Sequence, residues 1–151
     1  MRTVIQRVSF AEVKVDDIVV GKINDGLLIL LGIEDNDNDD DIQYLISKIS
    51  QLRIFNDTDS VMNLSVKDIN GDILVISQFT LFASTKKGNR PSYIRASKGD
   101  CAEPLYNKFC DQMEIKMDKP VEKGIFGADM KVSLLNDGPT TIIIDSKLKD
   151  Y

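Results

Sequence analysis

Leu27-Leu28-Ile29-Leu30-Leu31-Gly32-Ile33 is an unbroken apolar run of strand length. Side chains of a strand alternate between two faces, so this run requires cover on both sides of the sheet that contains it. The sequence around it is strand-like as well. From Val4 onwards Val13 and Val15 alternate with polar neighbours, Asp16-Asp17 marks a turn, and Ile18 to Ile23 returns as the second arm of a hairpin. Asn24-Asp25-Gly26 then punctuates the chain before the apolar run. Further on, Asn70-Gly71 marks a tight turn and Ile73-Leu74-Val75-Ile76 is a second buried strand. Val132 to Leu135 and Thr140 to Ile144 read as the last two strands, joined by Asn136-Asp137-Gly138-Pro139.

Two helices interrupt the strands. Ile42, Leu45, Ile46, Ile49 and Leu52 recur at helical spacing, and Asp39 to Asp41 before them suit an N-cap and the positive end of the helix dipole. The second helix is expected from about Ala102 to Met117, with Leu105, Tyr106, Phe109 and Met113 as its apolar stripe. That periodicity assigns its aromatics to the core, and Pro104 is admissible only in the first turn. Strands in neighbouring runs with only two helices indicate an α+β fold: a largely antiparallel, barrel-like sheet with both helices packed outside it. The 151 residues suit one domain over 1–151, without internal repeat or linker.

Composition narrows the chemistry. There is no histidine, so neither Ser-His-Asp nor Cys-His catalysis is available. Cys101 and Cys110 are nine apart on the second helix, on opposite faces, and read as reduced thiols. With no CxxC spacing the usual zinc sets are missing, and no metal or cofactor is expected. Asp35, Asp37 and Asp39 have the spacing that opens a calcium loop, but Asp40 stands where that loop needs Gly and Ile46 where it needs Glu. A solvated loop feeding the first helix is the expectation. No apolar run approaches the roughly 20 residues of a membrane span, and the N-terminus lacks the pattern of a signal peptide, which points to the cytoplasm. The net charge of −5 argues against a protein that coats nucleic acid broadly, and no DNA partner is expected. Lys86, Lys87, Arg90 and Arg95 nevertheless fall within ten residues with no acid among them, either as a solvated basic loop or as one that tracks phosphates.

Ser77-Gln78-Phe79-Thr80-Leu81 closes the second buried strand, and strand ends are where side chains leave a core for a cleft. Two hydroxyls, an amide and nearby backbone N–H groups are suitable donors to the oxyanion of ester hydrolysis, although Ser, Gln and Thr also end many ordinary strands. Taken with Asn136-Asp137-Gly138-Pro139-Thr140-Thr141, and with Arg53-Ile54-Phe55, Lys87-Gly88-Asn89-Arg90-Pro91 and Phe126-Gly127-Ala128-Asp129-Met130 in matching order, this segment resembles the signature motifs of the D-aminoacyl-tRNA deacylases over nearly the whole chain.

The resemblance implies the same barrel-like fold, a homodimer with active sites at the subunit interface, and hydrolysis of the ester between a D-amino acid and the 3′ end of tRNA. Ser77, Gln78 and Thr80 would be catalytic, with Phe79 beside the scissile ester. Asn136, Gly138 and Pro139 would form a chiral gate. In the family the Gly-Pro peptide is cis and projects into the other subunit's site, where its backbone rejects L substrates but admits D or glycyl ones. Arg7 would hold that gate across the dimer. Phe126 and Met130 would flank the terminal adenine, Ala102 would line the same pocket, and the tRNA's own 2′-hydroxyl would help activate water. Three departures stand out: Thr140 replaces a valine, Ser60-Val61 replaces Gly-Lys, and the segment after Ala96 lacks a proline. Two other readings compete, a non-catalytic RNA-binding module on this fold and a covalent ester hydrolase using Thr80, whose hydroxyl would need a base that the sequence does not identify.

Overall fold

The computed structural model describes residues 1–150. In chain order the elements are β1 (Arg2–Val15), β2 (Ile18–Ile23), β3 (Gly26–Gly32), α1 (Asp39–Ser50), β4 (Phe55–Asn56), β5 (Met62–Leu64), β6 (Asp72–Ser77), a 3₁₀ turn (Phe79–Phe82), α2 (Gly99–Met117), β7 (Glu122–Lys123) and β8 (Lys131–Asp145). β1 is the spine of the sheet. One edge of it pairs antiparallel with β2 and then β3, and the other with β8. Asp16 and Asp17 form the first turn, both at positive φ (49° and 63°), the two-residue geometry that follows the twist of a hairpin. β3, β6 and β7 pair in parallel. Parallel neighbours need crossover connections, and α1 lies between β3 and β6 in sequence just as α2 lies between β6 and β7. β2 lies against β6 and β7, which brings the sheet close to a closed barrel. At that seam a Cβ on Gly21 would stand only 3.0 Å from the Lys123 carbonyl oxygen.

The apolar run is buried on both faces, each in a different core. Leu27, Ile29 and Leu31 pack with Ile73 and Val75 under the helices, against Ile42, Leu45 and Ile49 of α1 and Tyr106, Phe109 and Met113 of α2. Leu28, Leu74 and Ile76 point the other way and fill the barrel with Val8, Ala11, Val13 and Ile23. The Tyr106 hydroxyl donates to the Val75 carbonyl at 2.9 Å, tying α2 to β6. Cys110 is buried and Cys101 exposed, and burial pushes the Cys110 thiol up to about 12, well away from a reactive thiolate.

Several boundaries differ from the sequence reading. The α1 N-cap is Asn38 and not one of the aspartates. Its Oδ1 accepts from the Asp40 N–H at 2.9 Å while Asp41 Oδ2 accepts from the Asn38 N–H at 2.9 Å, a reciprocal capping box. Two other acids of this stretch have local partners. Asp37 accepts from the N-terminal ammonium and the Glu34 N–H, and Asp39 pairs with Lys108 at 2.6 Å. α2 begins at Gly99, three residues early, so Pro104 lies beyond the first turn. Its missing N–H leaves the carbonyl of Asp100, an exposed residue, without its i+4 helical donor. A small hairpin, β4 with β5, occupies what reads as a polar connection.

The largest correction concerns the last two strands, which are one. β8 runs the length of β1, with Val132 opposite Val13 and Ile143 opposite Val4. Between them Asn136 pairs with Val8 and Thr141 with Gln6, so the chain bulges out around Gly138-Pro139 and resumes in the same direction. Turn-forming residues suit either a reversal or an outward bulge. Pairing of both halves with β1 selects the bulge.

Candidate active site

β3 and β6 end side by side, with Leu31 opposite Ser77. The Gln78 N–H still donates to the Leu31 carbonyl at 2.8 Å, and the chain then tightens into the 3₁₀ turn. The divergence opens a pocket of about 320 Å³. Ser77, Gln78 and Phe79 form one wall, Ala102 of α2 and Phe126 another, and Met130 closes the barrel side. Phe126 is held by Tyr106, ring centroids 5.7 Å apart. No lining side chain is ionisable. What the pocket offers is shape, hydroxyls, an amide and the leading N–H groups of a 3₁₀ turn, which have no acceptor inside the turn.

Thr80 stands behind this wall. Its Oγ1 accepts from Gln78 Nε2 at 2.5 Å, so its partner is a donor amide and not a base. A threonine nucleophile needs a proton acceptor at that position.

Gly138-Pro139 is elsewhere. The peptide is cis, Gly138 has φ +133°, and neither residue lines the pocket of its own chain. Asn136 spans the bulge: its Oδ1 accepts from the Thr140 N–H at 2.9 Å and its Nδ2 donates to Thr141 Oγ1 at 2.9 Å. Arg7 supports the bulge from below, Nε donating to the Asp137 carbonyl at 2.9 Å and Nη1 to the Ile54 carbonyl at 2.5 Å. A Cβ on Gly138 would fall 2.8 Å from Arg7 Nη2. Arg7 thus holds the bulge of its own chain. Thr140 is buried behind it, its hydroxyl without a partner among the described residues.

The basic segment divides. Lys86, Lys87 and Arg90 are exposed and form no ion pair among the described residues, on a loop closed by backbone bonds between Ser84 and Ser92 (2.8 and 2.9 Å). Arg95 leaves that group: it pairs with Glu34 at 3.0 Å and lies over the Phe82 ring. Leu31, Ile33 and Ser97 line the pocket without having been anticipated. The two aliphatics belong to the apolar run assigned wholly to the core, and only the register of β3 with β6 places its end at the pocket. No sequence signal singles out Ser97.

The family model described as D-Tyr-tRNA(Tyr) deacylase matches residues 4–145. The chain is 66% identical over 150 residues to the D-aminoacyl-tRNA deacylase of Flavobacterium psychrophilum, covering 99% of this chain and 100% of that protein. It is 63% identical over 149 residues to the D-aminoacyl-tRNA deacylase of Christiangramia forsetii, with 99% of each covered. Among solved structures, "c-Myc DNA Unwinding Element Binding Protein" superposes with a TM-score of 0.90 at 36% identity, covering 96% of this chain and 98% of that one. A probable eukaryotic D-amino acid tRNA deacylase shares the fold at a TM-score of 0.80 and 18% identity, over 95% and 97% of the two chains. The chain belongs to the D-Tyr-tRNA(Tyr) deacylase family, whose members are hydrolases.

Proposed function

We propose that this member of the family hydrolyses the ester of D-aminoacyl-tRNA in the cytoplasm and spares L-aminoacyl-tRNA. The observation that carries the reading is the pocket at the end of β6, walled by Ser77, Gln78 and Phe79 and free of ionisable groups. Phe126 and Met130 take the terminal adenine, with Ala102 beside them, and the ester lies along Ser77 to Thr80. Water attacks the carbonyl carbon with help from the neighbouring 2′-hydroxyl of the tRNA. Backbone N–H groups of the 3₁₀ turn stabilise the oxyanion, and the 3′-oxygen leaves with a proton. The Gln78–Thr80 hydrogen bond supports this over attack by Thr80, since it orients the wall and supplies no base.

The gate comes from a second copy of the chain. Three features support that reading. The bulge is braced by Arg7 and Asn136, it does not line its own pocket, and it sits on a strand whose outer edge has no partner among the described residues. Leu135 on that strand is 63% exposed and Ile143 is 40% exposed, as suits a face covered by a symmetric partner. Backbone carbonyls aimed at the substrate α-carbon would exclude an L side chain and admit D side chains or hydrogen, so glycyl-tRNA is also a substrate. Purified protein should release tyrosine from D-tyrosyl-tRNA and leave L-tyrosyl-tRNA charged; equal rates on both, or release from neither, would refute the reading.

A further inference from the structure

Phe79 has a second environment besides the pocket. It is 56% exposed, and its ring meets Tyr93 edge-on, centroids 5.0 Å apart at 76°. Tyr93 is itself exposed, and Ile94 beside it is 87% exposed. Aromatics that could have turned inward thus form a shelf at the mouth of the pocket. The chain between them is the basic loop: it leaves the 3₁₀ turn at Ala83, carries Lys86, Lys87 and Arg90, and returns through Pro91 and Ser92 to Tyr93. In a chain of net charge −5, these three exposed cations fall within five residues and in no ion pair among the described residues, on a stretch from Ile73 to Gly99 that holds no Asp or Glu. The exposed apolar residues of β8 differ in this respect, since Lys131 on that strand is paired with Asp129 at 2.8 Å.

An aromatic shelf bordered by unpaired cations suits one occupant, a single-stranded nucleic acid whose bases stack on the rings while its phosphates meet the cations. We infer that Tyr93, with Phe79, is the stacking surface for the unpaired nucleotides that precede the ester-bearing one at the tRNA 3′ end, and that Lys86, Lys87 and Arg90 take their phosphates. This rests on the proposed deacylase reading and extends its site outward. The pocket holds the terminal nucleoside, and the shelf sets the direction from which the strand arrives. Tyr93 is a positioning residue, because it touches substrate away from the reacting ester.

The test compares two substrates, D-tyrosyl-tRNA and D-tyrosyl-adenosine, which carries the same ester but no preceding nucleotides. Tyr93→Leu keeps an apolar anchor for the loop and removes the ring. It should lower the preference for the tRNA substrate, as a ratio of kcat/KM values, by about tenfold, mainly through KM, and Tyr93→Phe should restore it. Replacing Lys86, Lys87 and Arg90 together by Ala should flatten the salt dependence of KM for the tRNA substrate. A Tyr93→Leu enzyme with the wild-type ratio, or one slowed equally on both substrates, overturns the inference, the second result marking Tyr93 as a mere anchor of the loop. Wild-type protein inactive on both esters would overturn the deacylase reading and this inference with it, so the two failures are distinguishable.

Discussion

Thr140 is the clearest case of a residue whose chemistry exceeds its use. It is 7% exposed, its backbone N–H is bonded to Asn136, and its hydroxyl has no partner among the described residues. A buried hydroxyl without a hydrogen bond costs stability, and valine has the same shape without that group. Thr140→Val is therefore expected to raise unfolding stability by about 1 kcal/mol in urea titrations. Unchanged or lower stability would mean that the hydroxyl has found a partner, for example across a subunit interface. Ser60 offers a similar test. It is held at φ +61°, a conformation that glycine adopts without a Cβ penalty. Ser60→Gly should stabilise by roughly 0.5–1 kcal/mol. At the pocket wall, the proposed mechanism requires that charged tRNA ending in 2′-deoxyadenosine be bound but hydrolysed on the order of 100-fold more slowly, the usual scale of a lost proton-transfer partner. Thr80→Ala should reduce the rate, since Gln78 loses its acceptor, without accumulation of an acyl-enzyme. Isolation of an amino acid esterified to Thr80 would return the chain to the covalent hydrolases.

At the scale of elements, α1 and α2 hold the pocket by covering the outer face of β3 and β6, and each is fixed by a few polar contacts. The Asn38 cap satisfies N–H groups at the start of α1 and does not line the pocket. Asn38→Ala should cost about 1 kcal/mol and leave kcat/KM on D-tyrosyl-tRNA as it was. The segment after β8 is tied down by Asp145. Its carboxylate accepts from Arg2 Nε at 2.9 Å and from the N–H groups of Lys147 and Leu148 at 2.9 and 3.1 Å. Burial pushes this carboxyl up, but those donors outweigh it, and the folded protein holds it below its ordinary value of 3.8. A depressed carboxylate stabilises the fold above its unfolded value, and the contribution vanishes as pH falls through the lower folded one. The stability gap between wild type and Asp145→Asn should therefore be constant near neutral pH and close below about pH 4. A gap that widens in acid would contradict the assignment.

For the whole molecule, β2 packs against β6 and β7 without a ladder between them, whereas the outer edge of β8 pairs with no other strand among the described residues. Exposed edges invite pairing, and this one carries the bulge braced by Arg7 and Asn136 that is proposed above as the gate. Sedimentation should find a homodimer, and a subunit carrying Gly138→Ala mixed with one carrying a defective Ser77–Thr80 wall should recover part of the activity in the mixed dimer. An active monomer would rule out a gate supplied in trans.

Much of this was legible in the chain alone. The apolar run at Leu27 demanded two covered faces because strand side chains alternate, and the periodicity of α1 and α2 marked which stripes would cover one of them. Ser77 to Phe79, within the polar segment that closes a buried strand, line the pocket, as a polar strand end facing something other than core suggests, whereas Thr80 lies off its wall. Tertiary structure decided what local pattern cannot encode. Parallel pairing of β3 with β6 brought Leu31 beside Ser77 through backbone hydrogen bonds indifferent to side-chain identity. Pairing of both halves of β8 with one β1 turned an apparent reversal at Gly138-Pro139 into a bulge. The intrachain partners of Arg7 and Arg95 were likewise beyond the sequence, because a long side chain takes whichever carbonyl or carboxylate the fold brings within reach.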